Sequence, residues 1–342
     1  MFAHRCSMLH NSAPIDAVIT WVDGNAPAHK AKMAPYLQQH FGTERDEEAP
    51  QDRAGSTRFA SCGELYFCIA SILQFAPFVR KIFVVTDRQD PHLAEFMQCY
   101  FPHGTTPVEL IDHTVIFSGY ERYLPVFNSI AIESMLHRIP GLSEQFVYFN
   151  DDVFLTRPIR PQEWFTGGQS VAYGKFMPSV VIRLLRGVKH LVGNQTFGFK
   201  DTMLNAADLL GRPSCFMQHH TPHPLLRSVC ASIYTEHPRW LIRNIEHRFR
   251  DPRQFSPQSI YYLTALHTGA AQRCGNTNYL LMKPGGRGTA YVQRKFDRLK
   301  TDDRLHCLCI NSLDQASEQE QAAVLHALRT LYRLPDQFPA LP

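Results

Sequence analysis

Apolar residues in the first half of the chain come in short β-branched runs that alternate with stretches of helical period. Ile15-Asp16-Ala17-Val18-Ile19-Thr20-Trp21-Val22, closed by Asp23-Gly24-Asn25, predicts a buried strand meeting a turn. Ile82-Phe83-Val84-Val85-Thr86 predicts a second strand with Asp87 just past its end, and Val108-Glu109-Leu110-Ile111 a weaker third. Phe146-Val147-Tyr148-Phe149 predicts a fourth, running straight into Asn150-Asp151-Asp152. Helical spacing runs from Gly63 to Phe75, where Ala76-Pro77 stops it. It returns from Asn128 to Arg138, with Asn128 or Ser129 as cap and Pro140-Gly141 as stop. Strands alternating with helices imply an α/β unit with a largely parallel sheet. Ligands of such sheets bind beyond the carboxyl ends of the strands. Asp23, Asp87 and the Asp151/Asp152 pair all fall there.

The second half is less periodic. Leu225 to Tyr234 and Ser259 to Ala271 have helical character, and Glu318 to Tyr332 is amphipathic. Gly285-Gly286-Arg287-Gly288 reads as a flexible loop, residues 43–57 as a polar loop and residues 1–13 as a tail. Residues 166–215 show no clear period. Without repeats, low-complexity tracts or an evident linker, residues 14–342 are expected to form a single domain.

Composition narrows the classes. Of 342 residues, 44% are hydrophobic and 19% charged, enough apolar material for a packed core. Thirty-five basic against 31 acidic residues leave +4, too mild for a nucleic-acid partner. No window approaches the ~20 apolar residues of a membrane span. The nine cysteines include no CxxC pair, which disfavours a zinc ribbon; Cys307-Leu308-Cys309 is read as buried small residues of a strand. Met1 to Pro14 lacks an export pattern. A cytoplasmic location is therefore expected.

Four stretches carry chemistry. Asn150-Asp151-Asp152 puts two carboxylates at the end of an apolar strand, where they repel unless a cation or donors compensate. Mg²⁺ or Mn²⁺ would do so together with substrate phosphates; capping of the next turn is the structural alternative. His219-His220-Thr221-Pro222-His223 is a dense imidazole cluster followed by Arg227, better suited to a general base than to zinc, with a structural His pair as the alternative. Glu246-His247-Arg248-Phe249-Arg250 offers guanidinium groups able to grip a phosphate. Ile310-Asn311-Ser312-Leu313-Asp314 ends another apolar stretch in an amide and a carboxylate. Neither GxxxxGK[ST] nor GxGxxG nor GxSxG occurs, which argues against a P-loop kinase, a dinucleotide fold or an α/β-hydrolase.

Taken in order, several blocks resemble a known family. They are Ile15 to Gly24; Arg58-Phe59 with Glu64-Leu65 and Ser71-Ile72; and Ala76 to Thr86. Leu124 to Ser129 with Ala131-Ile132-Glu133, His137 to Ser143 and Asn150 to Val153 follow, then His220-Thr221-Pro222-His223 and Cys309-Ile310-Asn311. Over residues 14–340 the chain resembles the Stealth family of sugar-1-phosphate transferases. That family includes bacterial capsular-polysaccharide phosphotransferases and the α/β subunit of lysosomal-enzyme N-acetylglucosamine-1-phosphotransferase. The resemblance implies a glycosyltransferase-A-like α/β fold, with a mostly parallel sheet flanked by helices and a helical, loop-rich second half. Residues 14–165 would form a nucleotide-sugar half and 166–342 an acceptor and catalytic half.

The implied reaction moves a hexose-1-phosphate, of the N-acetylhexosamine kind, from a UDP-sugar to a sugar hydroxyl and releases UMP. The acceptor would be an oligosaccharide or a lipid-linked saccharide; the latter is compatible with peripheral association with membrane capsule machinery. Trp21, Asp23, Gly24, Arg58 and Glu64 are the implied nucleotide-sugar contacts, and Asn128, Ser129, His223 and Arg227 join the substrate-binding set. Asp151, Asp152 and Asn311 would hold Mg²⁺ or Mn²⁺, with Asp152 also counted among the catalytic groups. His220 would be the base and Arg250 would steady the transferred phosphoryl group. Where the family's fourth block has Asn-Asp, this chain has Asn311-Ser312, so either Asp314 substitutes or the Asp151/Asp152 pair holds the metal alone. A metal-dependent glycosyltransferase releasing UDP and a non-catalytic sugar-binding subunit are the alternatives.

Overall fold

The computed structural model describes residues 13–41, 62–191 and 198–338. The polar loop at 43–57 and Arg58 lie outside the described residues. Strands β1 (Ile15–Thr20), β2 (Val79–Thr86), β3 (Val108–Asp112) and β4 (Gln145–Asn150) form a parallel sheet in the order β3-β2-β1-β4. Strand β9 (His223–Leu226) closes the edge beside β4 in the antiparallel sense. Ile15 to Ile19, Ile82 to Thr86 and Phe146 to Phe149 are buried throughout, as befits strands covered on both faces. The one acid inside β1, Asp16, is fully buried and bonded by the Arg80 guanidinium (2.8 and 2.6 Å) and the Ser143 N–H (2.7 Å).

Two further sheets build the remainder. Strand β5 (Val153–Leu155) pairs with β12 (Cys307–Ile310), which pairs with β11 (Tyr279–Met282). Strand β7 (Gln169–Pro178) pairs with β6 (Phe165–Thr166), β8 (Ser214–Gln218) and β10 (Ala271–Cys274). Because β5 begins three residues after β4 ends, Asp151-Asp152 is the junction between the first sheet and the second.

Twelve helices flank the sheets among the described residues. In the first half they are α1 (Pro27–Phe41), α2 (Glu64–Phe75), α3 (Leu93–Tyr100), α4 (His113–Ile116) and α5 (Ser129–Glu133). In the second they are α6 (Ser179–Leu191), α7 (Phe199–Leu209), α8 (Arg227–Glu236), α9 (Pro238–Ile245), α10 (Pro257–Thr268), α11 (Thr289–Thr301) and α12 (Glu318–Tyr332). None is long and apolar enough to cross a membrane.

The α/β class and the mostly parallel sheet match the expectation from sequence. Three local readings change. The helix expected over 128–138 breaks after Glu133, because the Ser134 hydroxyl donates to the Ile130 carbonyl (2.8 Å) and a 3₁₀ turn takes Leu136–Arg138. Leu225 and Leu226, expected to open a helix, belong instead to strand β9 and pair with Phe146 and Gln145 of β4, so α8 starts at Arg227. The aperiodic stretch 166–215 holds β7, α6 and α7, whose pairing partners lie far away in sequence.

Candidate active site

The parallel register aligns Thr20 with Asn150 and with Val85, so three chain segments leave the sheet side by side at one edge. After β1, the Trp21 N–H donates to the Val85 carbonyl (2.9 Å) and its side chain joins the core. The Gln89 side chain then grips the Asp23 backbone at both N–H and carbonyl (2.8 Å each). The Asp23 carboxylate accepts from the Asn25 N–H (2.8 Å), and Gly24 is buried beside it. These contacts fix a loop at the sheet edge.

At the end of β4, Asp151 and Asp152 are half-buried and face carboxylates rather than cations. Burial, then Asp152 and then Glu64, hold the Asp151 carboxyl well above its ordinary range. Burial and Glu64 push Asp152 up to about 7. Glu64, at the start of α2, is itself raised by burial and by Asp314, although the backbone N–H groups of Glu64 and Cys62 oppose this. Asp314 Oδ2 is buried without a hydrogen-bond partner among the described residues. Strand β12 brings in the rest: the Ile310 N–H donates to the Asp152 carbonyl (2.9 Å), and Cys309 Sγ lies 3.8 Å from Asp152 Oδ2. Asn311 follows, its Oδ1 accepting from the Ser312 hydroxyl (2.8 Å).

This set is oxygen-rich and uncompensated, which fits Mg²⁺ or Mn²⁺ better than a softer metal. Among the described residues, no three His, Cys, Asp or Glu side chains converge as a complete metal site. The protein offers a carboxylate pair with an amide on the neighbouring strand end, fewer ligands than such an ion takes, so the remainder would come from outside this set.

The imidazole cluster enters from β9. His220 is half-buried, its ring centroid 6.1 Å from Phe199 and 6.2 Å from Tyr279. Burial and then Lys283 lower its pKa from the ordinary 6.5, so the ring is neutral near pH 7. Lys283 also acts on Cys309, the thiol beside Asp152. One ammonium group is thus felt by both the imidazole and the thiol beside Asp152. His223 departs from its substrate-binding expectation: it sits inside β9, stacked on Tyr148 at 6.2 Å, and burial pushes it down to about 3. Tyr148 in turn donates to Asn150 Oδ1 (2.6 Å) and Glu133 (3.2 Å), so His223 backs a polar network beneath the edge.

Asn128 and Ser129 are also placed otherwise than as open contacts. Asn128 is buried; its Oδ1 caps α5 and its Nδ2 donates to Phe249 O (3.1 Å) and Gln254 Oε1 (2.8 Å), tying down the loop that carries Arg250. Arg250 Nη2 donates to Ser129 Oγ (3.1 Å). Arg227 stands apart. It follows β9 at the amino end of β4, where its N–H donates to Glu144 O, because β9 runs antiparallel and carries the chain away from the carboxyl edge. Sequence reasoning missed Lys283, Tyr279 and Gln89. Lys283 directly follows strand β11, which was the available signal.

Comparison with known proteins follows this geometry. Models of Stealth protein conserved region 1 and conserved region 2 match residues 13–40 and 58–172. Those stretches contain Trp21, Asp23, Gly24, Arg58, Glu64, Asn128, Ser129, Asp151 and Asp152, whereas His220, His223, Arg227, Arg250 and Asn311 lie beyond them. An exopolysaccharide phosphotransferase of Streptomyces coelicolor is 33% identical over 315 residues, 89% of this chain and 50% of that protein. The receptor polysaccharide phosphotransferase WefC of Streptococcus oralis is 32% identical over 261 residues, 70% of this chain and 74% of that protein. The chain spans about half the length of the Streptomyces relative. Among solved structures, the galactosyltransferase LgtC aligns with a TM-score of 0.43 and 13% identity, over 95% of this chain and 99% of that one.

Proposed function

The chain belongs to the Stealth family, and on that premise we propose that it transfers a sugar phosphate during capsule or exopolysaccharide synthesis. The donor is a UDP-sugar, the moving group a hexose-1-phosphate of the N-acetylhexosamine kind, and the acceptor a hydroxyl of an oligosaccharide or lipid-linked saccharide. The observation that carries the reading is the uncompensated Glu64, Asp151 and Asp152 group at the end of β4, beside the strand end whose Cys309, like the neutral His220, feels the Lys283 ammonium.

In this reading the loop held by Gln89 receives the nucleotide sugar at the edge of the sheet. Asp151, Asp152 and Asn311 would hold Mg²⁺ or Mn²⁺, which supplies positive charge to the diphosphate oxygens. His220 accepts the proton of the acceptor hydroxyl as the new oxygen–phosphorus bond forms at the sugar-bearing phosphorus. The phosphoanhydride bond breaks and its electrons leave with UMP. Lys283 and Arg250 face the charge of the phosphoryl group in flight. A lowered imidazole pKa suits a base, because the free ring is already deprotonated at neutral pH. In this reading the protein works in the cytoplasm, where the nucleotide sugar is made, and meets a lipid-linked acceptor at the inner face of the plasma membrane.

Nucleotide-product analysis tests this directly. Incubation with UDP-sugars, Mg²⁺ and capsule-type oligosaccharides is expected to give acceptor-dependent UMP, which His220→Ala removes while leaving UDP-sugar affinity in place. Release of UDP would reassign the chain to glycosyl transfer. Sugar binding without turnover on any acceptor of the panel would make it a binding subunit.

A further inference from the structure

Helix α6 is amphipathic the wrong way round. At ~100° per residue, Val180, Leu184, Val181 and Leu185 share one arc of about 140°. An amphipathic helix ordinarily turns such an arc inward. Here Val180, Leu184 and Leu185 are 58%, 67% and 51% exposed, with Val181 exposed beside them. The opposite, basic side does the docking: Ile182 is in the core, Arg183 pairs with Asp208 and Arg186 with Asp201, both on α7. Phe176 of β7 and Phe199 of α7 are exposed as well. Phe199 is the ring that stands 6.1 Å from His220, so an aromatic beside the helix reaches the candidate active site.

We propose that this face of α6, with Phe176 and Phe199, seats the protein on an anionic lipid surface and so presents His220 to acceptors held at a membrane. The proposal deepens the functional reading and rests on it only for the acceptor. Three observations select a bilayer as occupant. The face is the outward side of a single helix, and lying flat at the headgroup boundary is how such helices bind. Lys175 and Lys200 are exposed where β7 and α7 flank the helix, and the sequence of α6 contains no carboxylate. That basic setting matches phosphoglycerol headgroups. A two-fold contact with a second copy would instead set these cations against their own images.

The test is vesicle sedimentation of the 342-residue chain. Phosphatidylcholine vesicles with phosphatidylglycerol are expected to pellet it, and phosphatidylcholine vesicles alone to leave it in solution. The double change Leu184→Ser, Leu185→Ser should lower partitioning by roughly tenfold or more, since each buried methylene contributes to membrane affinity. Its thermal melt should be unchanged, because both side chains are already exposed. Absent binding of the unaltered chain, equal binding to neutral vesicles, or undiminished binding of the double variant overturns the proposal. A concentration-dependent dimer that the double variant abolishes overturns it in favour of a second copy. Turnover of a soluble oligosaccharide should survive the double change. Failure on vesicles and failure of the transferase reading are therefore separate results.

Discussion

Strands β2 and β4 flank β1 on either side, and both end in carboxylates that the fold treats in opposite ways. Asp87, after β2, is buried with its counterion in place: Lys32 Nζ lies 2.6 Å from Oδ1 and His29 lies 3.9 Å from Oδ2. Asp151 and Asp152, after β4, find Glu64 and each other, and burial makes that company worse. An aspartate at the carboxyl end of a parallel strand is thus no marker of a site by itself. What distinguishes the two edges is whether the chain supplies the balancing charge. At β2 it does, and the group is part of the structure. At β4 the balance must arrive from solution, as a proton or a cation, and that leaves the edge open to chemistry.

Exchange of each carboxylate for its amide would break this contrast most sharply. Asp151→Asn should lower acceptor-dependent turnover by about a thousandfold or more, the scale seen when a preorganised charge is removed from a transition state. It should not lower the melting temperature, since an acid already repelled by its neighbours is replaced by a neutral group. Asp87→Asn should do the reverse. Removing one partner of a buried pair leaves the other without its charge, and with Lys32 a third exposed the cost is about 1–3 kcal/mol in urea denaturation. Turnover at saturating donor should stay within roughly tenfold of the unaltered chain, because no group at the β4 edge is removed. Equal losses of stability in the two variants would mean that both carboxylates are structural.

The sequence exposed the β4 edge better than it exposed the rest of the site, for a physical reason. Strands β1, β2 and β4 are covered on both faces, so they read as unbroken apolar runs and their ends are visible as the first polar residues. Asp23, Asp87, Asp151 and Asp152 could therefore be placed from the chain alone. Lys283 and Tyr279 could not, because they reach the site only through the pairing of β11 with β12, and nothing local in Tyr279–Met282 reveals that partner. The same holds for β7, whose partners β8 and β10 lie about 40 and 100 residues further along the chain. Arg227 lies away from the other expected site residues because β9 is antiparallel, and four positions along it move from the carboxyl edge to the amino end, whereas His223 is buried against Tyr148 beneath the edge. In α6 the amphipathic period is present in the sequence, but period alone cannot tell which side the protein occupies.

Besides the balanced and unbalanced carboxylates, the fold carries a third kind of titratable group, imidazoles kept neutral by burial, and these sharpen the comparison at low pH. Burial lowers His113 and His137 to about 4 and His223 to about 3. In the unfolded chain each titrates near 6.5. The folded state then binds fewer protons than the unfolded one between those values. The contribution of these groups to stability is complete above about pH 6.5 and is lost as the pH falls, by up to ~1.4 kcal/mol per pH unit for each, until the folded pKa is reached. His137 allows a clean measurement, since its ring stacks on Tyr234 at 5.6 Å and lies in no proposed contact with substrate. His137→Phe preserves the stacking and deletes the titration, so urea denaturation between about pH 7 and pH 5 should show a shallower fall in stability than in the unaltered chain, by about 1 kcal/mol per pH unit. Parallel pH curves for the two proteins would show that His137 takes up its proton in the folded state as readily as in the unfolded one, and that its burial against Tyr234 is not what sets the acid limit.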